Sequence, residues 1–382
     1  MNINDLKRKA IILGLALAMG CGIGCGNNKE EKNETPPAEA EIVKKEWSLA
    51  DGFIREAEDS STDPVFGQES EGGLSNAEST LSVPTYIDKL GDDWFIVDCY
   101  HNQIIYNDNL ETPLYEWKVL TKNVNLPHTM ASDGTVYLLD DTENNRVLVF
   151  EKDEDSYKCT QLFNEIGQRP HYVVYDEDDK AFYVWSSTTG EMYIFRRDKD
   201  SSKMYLTEIR RVGGSTLKGN ASETSDNTGD DSVLNGAYIR SFFIDGDDIY
   251  FVSGITAQGT ASGIIKCNKY TMEIKEQISV PDELAGMAYM RYDAPYYYIT
   301  VSTDVTGSQD AATMLRTDSL DKLMAKDYEV IYDTYFVGGG TPYNIFKVDD
   351  TYYLTEHRLP AHAIWSYRID EKGNIEEVES IY

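Results

Sequence analysis

The stretch Val136-Tyr137-Leu138-Leu139-Asp140-Asp141-Thr142-Glu143-Asn144-Asn145-Arg146-Val147-Leu148-Val149-Phe150 decides the fold. Two apolar runs too short for helices flank a polar loop of turn formers, which reads as two antiparallel strands and their connection. Upstream, residues 127–131 form an opening strand closed by the turn Ser132-Asp133-Gly134, and downstream a fourth run passes through Cys159 to Phe163. The unit is four short strands, and it recurs. Pro84, Pro127 and Pro170 stand 43 residues apart in both steps, with WFIVDCYHNQIIYND (94–108) and AFYVWSSTTGEMYIFRRD (181–198) in place of the quoted stretch.

Three divergent units keep the rhythm: residues 240–253, residues 286–316, and the four runs 342–346, 352–355, 364–368 and 375–381. Radially stacked four-stranded units at this spacing are propeller blades, each covering its neighbour's apolar face. The expectation is an all-β, six-bladed β-propeller of four-stranded antiparallel blades over residues 84–382. A β-sandwich, or a seventh blade built with the N-terminal region, is the competing architecture. Residues 213–235 are acidic and almost without large apolar side chains, so they read as a solvated loop inserted between the third and fourth units.

The strand-loop-strand pattern resembles the NHL repeat of six-bladed propellers, in which an apolar strand ends in Asp, an Asn-containing loop follows, and a basic or polar residue opens the next strand. Asp140, Asn144, Asn145 and Arg146 carry the likeness in the second unit, and Asp98, Asn102 and Gln103 in the first. The third unit has Ser186 and Glu191 at the corresponding places and departs from the pattern, as do the last three.

Ahead of the repeats, Lys7, Arg8 and Lys9 precede an apolar run over residues 10–19, the layout of a secretory signal and too short to span a bilayer. Ala18-Met19-Gly20-Cys21 and Gly22-Ile23-Gly24-Cys25 then resemble the lipobox of bacterial lipoproteins, with Ala18 where Leu is usual. The resemblance implies cleavage before an acylated, palmitate-bearing Cys21, with Cys25 as the alternative, and a partner in the lipid bilayer on the extracytoplasmic side of the cell membrane. Residues 1–20 are then the signal peptide, 21–50 the lipidated Cys and a polar tether, and 51–83 a lead-in whose Phe53, with Trp47 before it, is expected against the propeller edge.

Charge narrows the partners. With 35 Lys and Arg against 66 Asp and Glu the chain carries −31, and loss of residues 1–20 makes it −33, so nucleic acid is excluded as a partner. Five Cys do not staple a chain of 382 residues. Cys99, Cys159 and Cys267 fall on three different blades and are expected to be buried and reduced.

His128 and His171 each follow the Pro that opens an innermost strand, so both stand at one mouth of the central channel, with Thr85, Ser241 and Tyr343 at the matching places. A hydroxyl-rich, neutral ring with Arg169, Arg240 and Asn344 nearby is the expectation. The ligand candidates are Thr85, His128, His171, Arg240, Ser241, Tyr343 and Asn344, and a saccharide, a peptide or a cell-envelope protein is the expected occupant. The alternative is a metal-dependent lyase or hydrolase, because two imidazoles on neighbouring blades can converge on a zinc ion or act as a general base. Calcium at Asp-rich turns such as Gly246-Asp247-Asp248 is the other metal considered; no cofactor is otherwise implied. His101, His357 and His362 read as mouth-loop residues. No Gly-x-Ser-x-Gly elbow and no His-Glu-x-x-His helix is present.

Overall fold

The computed structural model of the chain describes residues 46–58, 62–65, 79–214, 216–219, 232–253, 262–336, 340–357 and 363–382. The signal peptide, Cys21, Cys25, His362, most of the tether and the acidic stretch 220–231 lie outside the described residues.

Six sheets follow one another along the chain, each with four consecutive antiparallel strands as its blade, so the fold is a six-bladed β-propeller. Their innermost strands are Pro84–Leu90, Met130–Ser132, Pro170–Asp176, Ile239–Asp245, Gly286–Asp293 and Thr341–Val348, and each packs against both neighbours round a closed ring. The second and third strands are the most buried because they face neighbouring blades on both sides; Val136–Asp141 is buried at every position. The abundant Tyr belongs to these seams. Between the first two blades the rings of Phe95, Tyr106, Tyr137 and Tyr157 meet edge-on or offset at 4.9–5.8 Å. The Tyr157 hydroxyl reaches Asp93 at 2.6 Å on the outer rim. Each such ring contributes on the order of 2–3 kcal/mol by burial.

The structure also explains the loop chemistry of the repeat. Asp98 Oδ1 accepts the Ser82 N–H and Asp141 Oδ1 the Asn125 N–H, both at 2.7 Å, and Ser186 Oγ takes the Gln168 N–H at 2.9 Å. Each pins the chain entering its own blade. Asn102 and Asn145 sit in the left-handed region (φ 51° and 52°), and their Oδ1 atoms accept the N–H of Leu126 and Arg169 at 2.8 Å, stapling one blade to the next. The counterpart of Asp98 is therefore Asp141, one residue beyond the Asp140 of the sequence reading. Asp140 does something else: it accepts the N–H groups of His128 and Thr129 and the hydroxyls of Thr129 and Thr142, all within 2.9 Å. It thereby takes the backbone donors of 128 and 129 out of the ladder, which is why the innermost strand of the second blade starts only at Met130.

First and last blades exchange no strand. Their seam is closed by Asn344 Nδ2 donating to the Thr85 carbonyl at 2.7 Å, by Tyr86 on Phe346 at 4.8 Å, and by Tyr382, whose hydroxyl donates to the carbonyls of Leu110 and Thr112. The N-terminal region does add a strand, but at the outer edge of the third blade: Arg55–Glu56 pairs with Met204–Arg211, as does Thr216–Lys218 from the start of the acidic insertion. Trp47 and Phe53 lie against Tyr205 on the same strand, at 5.8 and 4.7 Å between ring centres. The insertion thus leaves the blade as a strand and returns with Leu234 buried; its two ends are packed rather than solvated. Among the described residues no helix is long and apolar enough to cross a membrane.

Candidate functional site

A cavity of about 430 Å³ opens at the channel mouth where the innermost strands begin. Its lining comes mainly from three places in the repeat: the residue ahead of each blade's opening segment (Val83, Leu126, Arg169, Tyr238), the opening residues of that segment (His128, His171, Arg240, Thr341, Tyr343), and the end of a second strand or the turn that follows it (Cys99, Tyr100, Ser302, Thr303, His357). Val83, Leu126 and Arg169 all have positive φ (59°, 49° and 61°) ahead of the period-43 prolines. A left-handed non-glycine residue costs about 1–2 kcal/mol, and strain of this kind gathers where a site needs a side chain aimed.

Deeper in the channel, Tyr86, Tyr172, Phe242, Tyr289 and Phe346 from five blades meet ring to ring at 4.8–6.5 Å. All five are buried, and a separate cavity on their far side is lined by Tyr172, Phe242 and Tyr289. These rings do not line the mouth cavity itself, a cup whose own aromatic lining is Tyr100, Tyr238, Tyr343 and the imidazoles of His128, His171 and His357.

His128 and His171 stack, with ring centroids 3.8 Å apart and planes 31° apart. His171 Nδ1 lies 2.9 Å from the Arg240 carbonyl, so Nδ1 carries the proton and donates. His128 Nδ1 lies 2.9 Å from Thr142 Oγ1, whose own proton goes to Asp140, so that nitrogen also donates. Each Nε2 is left as an acceptor, and that of His128 has the Cys99 thiol at 3.9 Å. Burial, then the Arg169 and Arg240 charges, pull His128 down to about 3. Burial, then His128 and the same arginines, hold His171 well below the usual imidazole range. Both rings are neutral near pH 7.

Two guanidiniums flank the ring of Tyr238, Arg240 at 5.6 Å and Arg169 at 6.0 Å. Arg240 also donates to Ser302 Oγ, and Arg169 pairs with Glu143 at 2.9 Å while its Nε is buried without a hydrogen-bond partner. Tyr343 and His357 stack at 4.2 Å on another wall. No Asp or Glu is among the lining residues, so in this acidic chain the cup presents two arginines, Arg169 with Glu143 behind it, and neutral histidines.

The other candidates lie beneath the lining, in a ring of bonds that joins every blade to the next. Thr85 Oγ1 donates to the His128 carbonyl at 2.7 Å, the Val173 N–H to Thr129 Oγ1 at 2.7 Å, and His171 Nδ1 to the Arg240 carbonyl. Ser241 Oγ donates to the Ala288 carbonyl at 2.8 Å, Thr300 Oγ1 to that of Tyr343, and Asn344 Nδ2 closes the circle on Thr85. Of the seven candidates, His128, His171, Arg240 and Tyr343 reach the cup, and Thr85, Ser241 and Asn344 spend polar atoms on the ring. Tyr238, Ser302, Thr303 and Tyr100 were missed; for Tyr238 the place just ahead of an innermost strand was the available signal.

As for metals, the imidazoles face each other rather than a shared point, and among the described residues no three His, Cys, Asp or Glu are grouped to hold an ion. Asp248, in the Asp-rich turn, is taken by Lys266 at 2.9 Å and by Lys275. His101 holds Asp98 at 2.6 Å. Cys99, Cys159 and Cys267 are free, buried thiols, and burial pushes all three up, Cys159 and Cys267 to about 12.

No known family model matches the chain, and no curated protein does. Solved structures do match. One, provisionally named a 6-phosphogluconolactonase, from Bacteroides fragilis, is 13% identical with a TM-score of 0.52, over 84% of this chain and 97% of that one. Another of the same provisional name, from Bacteroides uniformis, is 14% identical with a TM-score of 0.51, over 79% and 85%. At such identity the likeness is one of fold alone.

Proposed function

We propose that this protein is a lipid-anchored propeller of the NHL-like kind, held on the extracytoplasmic face of the membrane, that binds a small ligand in the cup at its channel mouth. The observation that carries the reading is the cup itself: a cavity at the channel mouth with strained lining residues and convergent polar and aromatic groups. The anchor rests on the basic residues 7–9, the apolar run and Cys21, with a −33 mature chain that anionic headgroups repel, so that acyl chains would have to hold it. A metal-dependent lyase or hydrolase built on His128 and His171 has no observation in its favour, since the stacked pair lacks a third ligand among the described residues.

Ligand capture tests the proposal. Full-length protein and a Thr303→Trp variant, which fills the cup from its wall, are incubated with a small-molecule extract of the source cells, washed and analysed by mass spectrometry. Compounds retained by the first and lost from the second are the expected result. An identical set on both, or none on either, overturns the reading.

A further inference from the structure

The chemistry of the lining narrows the ligand class, on the premise that the cup is the binding site. Two arginines face a cavity with no carboxylate in its lining, and Arg169 keeps a buried, unpartnered Nε while its backbone is held in a strained conformation by Asn145. An ammonium ligand finds no counter-charge there, whereas a carboxylate or phosphate finds planar donors on two sides. The histidines add an acceptor pattern. The Nδ1 proton of His171 is spent on the Arg240 carbonyl, so that ring offers a lone pair at Nε2, which suits a hydroxyl donor and repels a second anion, while Nε2 of His128 already faces the Cys99 thiol at 3.9 Å. On the rim Tyr100 is 62% exposed beside the cup, an apolar face for a ring or carbon chain.

We propose that the cup takes a small polyhydroxylated organic anion, its carboxylate or phosphate held between Arg169 and Arg240 and a hydroxyl donating to Nε2 of His171. Neutral imidazoles are the natural neighbours of hydroxyl groups, and the arginines, whose charge adds to burial in keeping them neutral, are the ones that read the anion. The strongly acidic exterior then works as a filter of its own: it slows anions outside while the mouth concentrates them, so binding should weaken less steeply with salt than a fully exposed arginine pair would.

Three probes that differ at one carbon test it: glucuronate, glucose 6-phosphate and glucose, titrated calorimetrically against the full-length chain in detergent. Both anions, or the carboxylate alone, should bind, with glucose weaker by roughly tenfold or more, the range of a charge-assisted hydrogen bond. Arg169→Gln, which keeps the backbone bonds to Asn145 and Ser187 and loses from its side chain the ion pair with Glu143, should bring the ratio of anion to glucose toward one with little change in melting temperature. Arg240→Gln should do the same, at some loss of stability through Ser302. Glucose binding as tightly as the anions overturns the anion class and leaves the cup reading standing. A ratio unmoved in both variants also overturns it, because the charge is then read elsewhere. Binding of none of the three overturns the proposal, and the Thr303→Trp capture comparison decides the cup separately.

Discussion

The stacked histidines should cost this propeller stability in acid, working against Asp140 and Asp88, whose carboxyls burial raises to about 7 and about 6 and which therefore gain protons in the folded state over the same window. In the folded chain His128 is pulled down to about 3 and His171 lies well below its usual range, both chiefly by burial. Unfolded, each imidazole takes a proton near pH ~6.5. Between those values the unfolded state binds more protons than the folded state, so stability is complete above pH ~6.5 and falls as pH is lowered through the window. At pH 5 an unfolded histidine lies about 1.5 units below its pKa, which removes about 2 kcal/mol per ring and about 4 kcal/mol for the pair, against almost nothing at pH 7.5. The assay is urea unfolding at pH 7.5 and pH 5.0 of the wild type and of a His128→Asn/His171→Asn double variant, whose amides can still donate where Nδ1–H does. Every other titrating group is common to both, so the variant should lose about 4 kcal/mol less on acidification, at unchanged slope with urea. Equal losses in the two proteins, within about 0.5 kcal/mol, would refute the burial and neutrality argued for the pair.

Other outcomes follow from single contacts. Asn145→Ala removes the staple to Arg169 and puts a Cβ-bearing residue without a polar head at φ 52°, so it should destabilise by about 2–3 kcal/mol in urea melts, and Asn145→Gly by less. Gly190→Ala should cost more than an ordinary left-handed position, because its Cβ would lie 2.7 Å from the Leu234 backbone; a melting shift no larger than that of the Gly246→Ala control, where nothing lies within 4 Å, would contradict this. Deleting Tyr382 takes its hydroxyl from the carbonyls of Leu110 and Thr112, the second of which keeps only the Trp117 indole N–H, at the seam of the first and last blades, and amide exchange should quicken there before it does in the second and third. Native-state alkylation followed by peptide mapping should leave Cys99, Cys159 and Cys267 unmodified until the chain is unfolded. Cys21→Ser should move the protein from the membrane to the soluble fraction; retention on the membrane would point to Cys25 or to another anchor.

The fold was legible because a propeller writes its period into the sequence. Pro84, Pro127 and Pro170 mark it directly, and four short runs per unit place the first three blades and the sixth, while the fourth and fifth were placed from only part of their runs. The cup was only half legible. His128, His171, Arg240 and Tyr343 could be located by repeat position, since register along an innermost strand decides which residues reach the mouth. Register does not say which polar atoms a neighbouring blade will claim, so Thr85, Ser241 and Asn344 looked like ligands although their partners are carbonyls one blade away. Ser302 lies in a divergent unit where no motif marks the second strand's end, and its bond to Arg240 exists only once the fourth and fifth blades are side by side. The two-residue strand Glu329–Val330 was invisible for a different reason: eleven residues after Thr317, including the 3-10 turn Leu320–Ala325, break the four-strand rhythm of its blade.

The central claim, that the mouth cup is where this protein meets its ligand, is reached most directly by imidazole nitrogen NMR. The full-length chain has five histidines, of which His128, His171 and His357 line the cup while His101 is held by Asp98 outside it. Free, His128 and His171 should report neutral rings protonated at Nδ1; on addition of the captured compound, their signals and those of His357 should shift together in a saturable titration while His101 stays still. Signals of the three cup histidines that do not move when the compound binds would contradict the account.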